Sequence, residues 1–328
     1  MSSLPMQMSQ EQCSSLLESN LSFSDVVDRV VAMKHQESTH YRSRDYIRTA
    51  KQYISFSHQE DRVVDSECRA KMAEWCYQVT DYCKFSRQTV AIGMSYLDRF
   101  MSTHHPAAAK ALCSKKHYQL AAMTCLYIAI KMFEPIAFDT ALLSEISHGC
   151  YDEEDIEVME RNILQGLSWR MNGPTAHDML HHLLMLLPDE ASVDDSIASV
   201  LLDFSRFQAE IAVSDFSLAI QKPSIVALAA ILNSSEGISK QLFPAHLRQE
   251  YLENITDLVG IDSFSAKLNA VRMRLLALFE INSGYRLHQI ANITPVFELE
   301  HVYLSEFPDD TVGSTSPVSV AITRARCA

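Results

Sequence analysis

Glycine and proline are scarce, with 8 and 10 in 328 residues. So few turn-formers argue against a many-stranded β architecture and favour helices. No glycine-rich loop is present that could cradle a phosphate at a helix start. Eight cysteines include no Cys-x-x-Cys pair, and no four Cys/His residues have zinc-finger spacing. Cys68, Cys76, Cys83, Cys113, Cys125 and Cys150 lie in helical or apolar stretches and read as reduced core thiols of an intracellular protein. Basic runs are missing too, and the net charge of −13 opposes general affinity for nucleic acid or an anionic membrane. The longest apolar run, LAAMTCLYIAI (120–130), is too short to span a bilayer. At the N-terminus, MSSLPMQMSQEQ lacks a basic segment followed by an apolar one, so no signal peptide is expected. The expectation is a soluble protein of the nucleus, the cytoplasm or both, with no cofactor and no metal.

What is present is ordinary for a globular chain: 47% apolar and 21% charged residues. The length suggests about two domains. Residues 1–23 are rich in Ser, Gln and Met without periodicity and read as a disordered tail. Residues 305–328 read the same way, within an extension (286–328) expected to be mostly disordered. Ser316-Pro317 there fits a proline-directed kinase, although Ser-Pro pairs are common in such tails.

Between the tails, apolar residues recur at helical spacing. Cys68, Met72, Trp75/Cys76, Val79 and Cys83 form one stripe. Val90, Met94, Leu97 and Met101 form a second, with Ser86 expected as its N-cap. Residues 117–132 are apolar on nearly all faces, as suits the central helix of a bundle. In YDEEDIEVMERNILQGL the acids gather where a helix N-terminus favours negative charge, and Gly166 is the expected stop. After Gly173-Pro174 the pattern resumes over 175–187, 194–213, 223–234, 244–259 and 264–281. About five helices per half predict an all-α fold of two tandem five-helix bundles. The expected layout is a tail (1–23), an N-terminal helix and linker (24–64), a first bundle (65–172), a second (173–285) and the extension (286–328).

YLDRF (96–100) sets Asp98 beside its helix's apolar stripe, and Arg69 sits one residue off the stripe of the preceding helix. Packed together, the two helices would pair Arg69 with Asp98, a guanidinium fork on a carboxylate. A catalytic reading would need a cleft, a nucleophile or a metal nearby, and none is visible, so a buried clamp is the better reading. His177 and His181, with His182 beside them, resemble half of a metal site. They lack a third ligand and an intervening Glu, which favours a core-edge role. The DEED run (152–155) fits a solvated helix N-terminus better than a cation site.

Arg69 and Trp75, then YLDRF, YQLAAMTCLYIAIKMFE (118–134) and VMERNILQGLSWRMNGPTAHDML (158–180), resemble the cyclin box in order and spacing. DFSLAIQKPSIVALAAIL (215–232) is similar to the Pro-Ser-x-x-Ala segment of the second cyclin repeat, and HYRSRDYI (40–47) resembles the linker before the box. The likeness spans roughly 24–285 and is strongest over 65–185; YLDRF and GPTAHDMLHHLL look most like G1-type, D-like cyclins. No Leu-x-Cys-x-Glu motif occurs.

The resemblance implies two cyclin folds and a non-enzymatic function. Such a chain would be a regulatory subunit that binds a cyclin-dependent kinase, positions its αC (PSTAIRE) helix and so controls the cell cycle. Lys131 and Glu160 match the family's charged kinase contacts, and Leu164 and Trp169 its apolar ones, with Trp169 where Phe is usual. Cys68, Met72, Trp75 and Gln119 match a patch that docks Arg-x-Leu motifs of substrates or inhibitors, although Lys71 stands where an aliphatic residue is common. In KMFE, Phe133 replaces the first acid of the family's Lys-x-Glu-Glu, and the sequence leaves open whether it faces out or in. Two other readings fit the sequence: a cyclin-fold scaffold that activates no kinase, and a transcription-associated cyclin fold. Acidic charge and the missing zinc ribbon weigh against DNA contact. RMRL (272–275) fits a degradation pattern but lies in an expected helix.

Overall fold

The computed structural model describes residues 21–49, 64–188, 195–241 and 243–283. Among these residues there are helices and no strand. The chain is an all-α protein whose described residues divide into two compact units, each a bundle of helices.

The first unit comprises 40–175 with 210–221. Its helices are α2 (Ser66–Cys83), α3 (Gln88–Met101), α4 (Pro106–Leu112), α5 (Lys115–Phe133), α6 (Thr140–Ile146) and α7 (Glu153–Gly166), numbered after an N-terminal α1 in the other unit. α2 starts at Asp65, whose carboxylate accepts the Cys68 amide at 2.7 Å. α5 is buried along every face from Leu120 to Ile130, as a helix enclosed by others must be. Its closest neighbour is α3. A Cβ on Gly93 would lie 3.1 Å from the Leu126 Cα, so only glycine lets the two backbones approach this far. Asp152 caps α7 by accepting the Asp155 amide, and Glu153, Glu154 and Asp155 fill the first turn, which accounts for the acidic run as helix-start chemistry.

One local expectation is corrected, and another is met for a different reason. Ser86 does not cap α3. Instead Glu134, just past the end of α5, turns its carboxylate to accept the Ser86 amide at 3.0 Å and the Thr89 hydroxyl. Gly166 ends α7 without a left-handed backbone. It is needed because a Cβ there would lie 2.8 Å from the Phe100 ring. The left-handed turn falls on the next residues, Ser168 (φ 52°) and Trp169 (φ 59°).

Gly173 has a similar reason. A Cβ at this position would overlap the Tyr41 ring, which stacks on the buried Arg99 guanidinium at 4.6 Å. The Arg99 Nη2 in turn donates to the Arg170 carbonyl at 2.6 Å. Gly173→Ala is therefore expected to destabilise the protein by about 1–3 kcal/mol through overpacking. A fall in the thermal unfolding midpoint would show it; an unchanged midpoint would mean that the Tyr41–Arg99 stack shifts freely.

The second unit comprises the described residues of 21–39, 176–209 and 222–283. α1 (Phe23–Ser38) opens with a capping box in which Ser22 accepts the Asp25 amide and Asp25 accepts the Ser22 amide. Ser22 and Phe23, assigned from sequence to a disordered tail, are thus the cap and first residue of a helix; 1–20 and the C-terminal extension lie outside the described residues. α8 (Ala176–Leu184), α9 (Asp195–Ser214), α11 (Pro223–Glu236), α12 (Ala245–Asn254) and α13 (Ala266–Ser283) supply the rest. A short α10 (Phe216–Ala219) belongs to the first unit, as does the last turn of α9. α11 is the central helix here, and Pro223 fits at its first position because the missing N–H has no partner to lose there.

Polar contacts hold α1 in this unit. The buried Glu37 carboxylate accepts the Ser224 amide at 2.9 Å and its hydroxyl at 2.6 Å. Lys34 donates to the Val259 and Gly260 carbonyls at 2.5 and 2.7 Å. Lys222 reaches the Ser38 hydroxyl at 2.8 Å. Glu37 thus sits at the start of α11 and Lys34 at the end of the turn after α12, each charge at the terminus whose backbone dipoles favour it. The Pro-Ser pair at 223–224 has a concrete role: Ser224 presents two donors to a carboxylate.

Candidate partner-binding surface

Arg69 and Asp98 form a buried bidentate pair in the first unit. Arg69 Nε and Nη2 donate to Asp98 Oδ1 and Oδ2 at 2.8 and 2.7 Å, and both residues are almost fully buried. The third donor, Nη1, reaches the Val213 carbonyl at 2.6 Å. Tyr46 donates to Asp98 Oδ1 at 2.9 Å, and its oxygen lies 3.1 Å from the Tyr118 hydroxyl. The Tyr46 ring meets Phe216 edge-on at 5.0 Å. Every strong donor and acceptor in this cluster is matched within the chain, so it offers nothing to a substrate. It is a structural core.

The exposed features lie at the end of α5 and along α7. Lys131, in the last turn of α5, donates to Glu160 on α7 at 2.5 Å, and its ammonium lies 4.9 Å from the centre of the Tyr127 ring. Burial pushes the Lys131 ammonium down, but the hydrogen bond and charge of Glu160 outweigh it and hold it above its ordinary value. About half of the Lys131 side chain is exposed, so the pair contributes at most about 1 kcal/mol to stability. Leu164 is half-buried against the core, whereas Trp169 is 70% exposed on its left-handed backbone. Met132 (45%), Phe133 (48%), Ile136 (57%) and Val158 (42%) are exposed as well. Phe133 therefore faces outward. Met132, Ile136 and Val158 carry no sequence signal of their own, because an apolar residue on a helix reads as core until its neighbours are known.

The four residues aligned with a docking patch are distributed differently. Met72 is buried in the core, and Cys68 and Trp75 pack partly against it. Gln119 Oε1 accepts the Tyr151 hydroxyl at 3.2 Å, and Lys71 pairs with Glu67 at 2.9 Å. Among the described residues no group of three or more His, Cys, Asp or Glu could hold a metal. The α8 histidines are engaged with cations instead: His181 Nε2 lies 3.0 Å from Arg206 Nη2, and His182 Nε2 3.5 Å from Arg29 Nη1. No helix of the described residues is long and apolar enough to cross a membrane.

Residues 29–172, which hold the clamp, the Lys131–Glu160 pair and the exposed apolar residues, match the cyclin N-terminal domain. These residues carry a cyclin box. The chain is 23% identical over 186 residues to the G1/S-specific cyclin-D1 of Rattus norvegicus, covering 57% of this chain and 59% of that protein. Zebrafish (Danio rerio) G1/S-specific cyclin-D1 is 24% identical over 242 residues, covering 74% and 79%. Rice (Oryza sativa subsp. japonica) Cyclin-A1-4 is 26% identical over 169 residues, covering 51% and 44%. The chain thus spans between about two fifths and four fifths of these relatives' lengths, and 59% of the rat protein's. Among solved structures, a viral cyclin from Herpesvirus saimiri has 19% identity and a TM-score of 0.49, covering 72% of this chain and 98% of its own.

Proposed function

We propose that this protein is the regulatory subunit of a cyclin-dependent kinase, which it binds and activates in control of the cell cycle. The observation that carries the reading is the surface ion pair that joins Lys131 on α5 to Glu160 on α7. Met132 and Phe133 follow Lys131 in the chain, Val158 lies two residues before Glu160, and these exposed side chains, with Trp169, would each bury area against a partner. By engaging the kinase αC helix, this surface would favour the arrangement in which the αC Glu meets the ATP-binding Lys, an ion pair that phosphoryl transfer requires. Reversing a 1:99 equilibrium takes about 5.5 kcal/mol of differential binding. The chain itself would carry no catalytic residue, and it would work in the nucleus, the cytoplasm or both. Substrates or inhibitors with Arg-x-Leu motifs remain second-order partners, because part of their docking patch is core here.

The Lys131–Glu160 pairing allows a sharp test. Lys131→Glu alone sets two carboxylates together, and Glu160→Lys alone two cations. The double exchange restores an ion pair of reversed direction. If these residues contact a kinase, co-purification with a PSTAIRE-type kinase is lost in both single variants and in the double. If they serve only the fold, the double variant recovers binding along with its unfolding midpoint. Wild-type binding by the double variant would overturn their assignment as kinase contacts.

A further inference from the structure

We propose that Arg99 is a positioning residue, which fixes the turn that displays Trp169 and so presents the indole in one orientation to a partner; this rests on the kinase-binding reading above. The turn is strained. Ser168 (φ 52°) and Trp169 (φ 59°) are consecutive left-handed residues, and neither is glycine. A bulky side chain persists in that region only where its surroundings over-determine it. Here the backbone is tied on both sides of Trp169. Its own amide donates to the Leu164 carbonyl at 2.9 Å and the Arg170 amide to the Leu167 carbonyl at 3.1 Å, so the end of α7 holds one side. On the other side, the Arg170 carbonyl accepts Arg99 Nη2, from α3, at 2.6 Å. Trp169 itself, between these ties, is 70% exposed.

Arg99 is a poor choice for stability. It is 4% exposed, and among the described residues no carboxylate pairs with it and neither Nε nor Nη1 has an acceptor. Arg69, by contrast, has an acceptor for each of Nε, Nη1 and Nη2. A buried cation left in the state of Arg99 weakens the fold. What Arg99 does have is a fixed aim. The Tyr41 ring lies on its guanidinium at 4.6 Å, in space that Gly173 leaves by lacking a Cβ, and one donor points at the Arg170 carbonyl. A residue that burdens the core in this way is expected where it serves a site instead. Holding Trp169 still before a partner arrives lowers the ordering cost of docking that side chain.

The test uses the two tryptophans of the chain: Trp75→Phe leaves Trp169 as the single indole. Time-resolved fluorescence anisotropy of that full-length parent then reads the freedom of Trp169 directly. In the parent the indole should turn with the whole molecule. Arg99→Met should add a fast component of large amplitude, and Arg99→Lys, which keeps a donor, should recover part of the rigidity. Tyr41→Leu should loosen the indole as Arg99→Met does, and it carries the test if Arg99→Met fails to fold. An anisotropy decay equal to the parent's in these variants overturns the inference, whatever happens to the unfolding midpoint. With a purified PSTAIRE-type kinase, Arg99→Met is expected to weaken binding about two- to tenfold, the ordering cost of one side chain. In a Trp169→Ala background it should cause no further loss. An equal loss in both backgrounds means that Arg99 does not act through Trp169, and the inference falls while the kinase reading stands. If the wild type takes up no kinase, the kinase reading falls, and the anisotropy alone decides whether Arg99 fixes the turn.

Discussion

Asp98→Ala lowers the unfolding free energy by about 3–5 kcal/mol, the usual cost of stranding one member of a buried ion pair. Arg69 is 1% exposed, and the substitution removes both carboxylate oxygens that its Nε and Nη2 reach. Only the Nη1 bond to the Val213 carbonyl would remain, and a guanidinium cannot shed its proton to escape the cost. The Tyr46 hydroxyl would lose its acceptor at the same time. Urea unfolding measures the effect directly. A companion variant isolates the cause: Arg69→Met combined with Asp98→Leu removes both charges and should be less damaging than Asp98→Ala alone. An unchanged midpoint for Asp98→Ala, or a double variant worse than the single, would refute the clamp.

Acidification is the second large effect. His177 is 5% exposed, and neither ring nitrogen has a hydrogen-bond partner among the described residues. Burial pushes its pKa down from 6.5 to about 4; Asp178 opposes the shift, while Arg206 and His181 reinforce it. The folded-state value lies below the unfolded one, so between these limits the unfolded chain binds the extra proton. Stability from this source is complete above pH 6.5 and drains away as pH falls towards about 4. A depression of this size corresponds to about 3 kcal/mol. His181, also lowered to about 4, first by burial and then by the Arg206 charge, acts in the same direction. Glu37 opposes them both. Burial raises its carboxyl above 4.5, so its protonation favours the folded state as the pH falls. The net expectation is a fall in unfolding free energy from neutral pH down to about 4, with a visibly shallower slope in His177→Leu. A flat profile, or one that His177→Leu leaves unaltered, would count against a neutral buried imidazole.

Legibility in the sequence followed distance along the chain. α5 could be read from its apolar residues on every face, because helical periodicity is a local property. Arg69 and Asp98 could be paired because each lies beside an apolar stripe and the two helices are consecutive, only 29 residues apart. The reach of Glu134 back across 48 residues to Ser86 left no local trace, so Ser86 itself looked like the cap. Glu37 and Ser224 are 187 residues apart, and neither has a pattern that points to the other. Lys131 and Glu160 were both singled out through the family resemblance, yet their bond to each other was not legible. Each is a single charge on a helix, and such charges are ordinarily solvated. Met72 shows the opposite failure: it aligned with a surface patch, and its place on the α2 stripe took it into the core.

The buried clamp also sets what can be cut away. Its contacts come from Tyr46 ahead of α2, Arg69 on α2, Asp98 on α3, Tyr118 on α5, and Val213 far downstream. A fragment trimmed to residues 65–172 would keep the ion pair and lose both the tyrosine lid and the carbonyl that satisfies Nη1. In the intact chain, the amides around Tyr46, Arg69 and Asp98 should therefore exchange with solvent hydrogen together, through one cooperative opening.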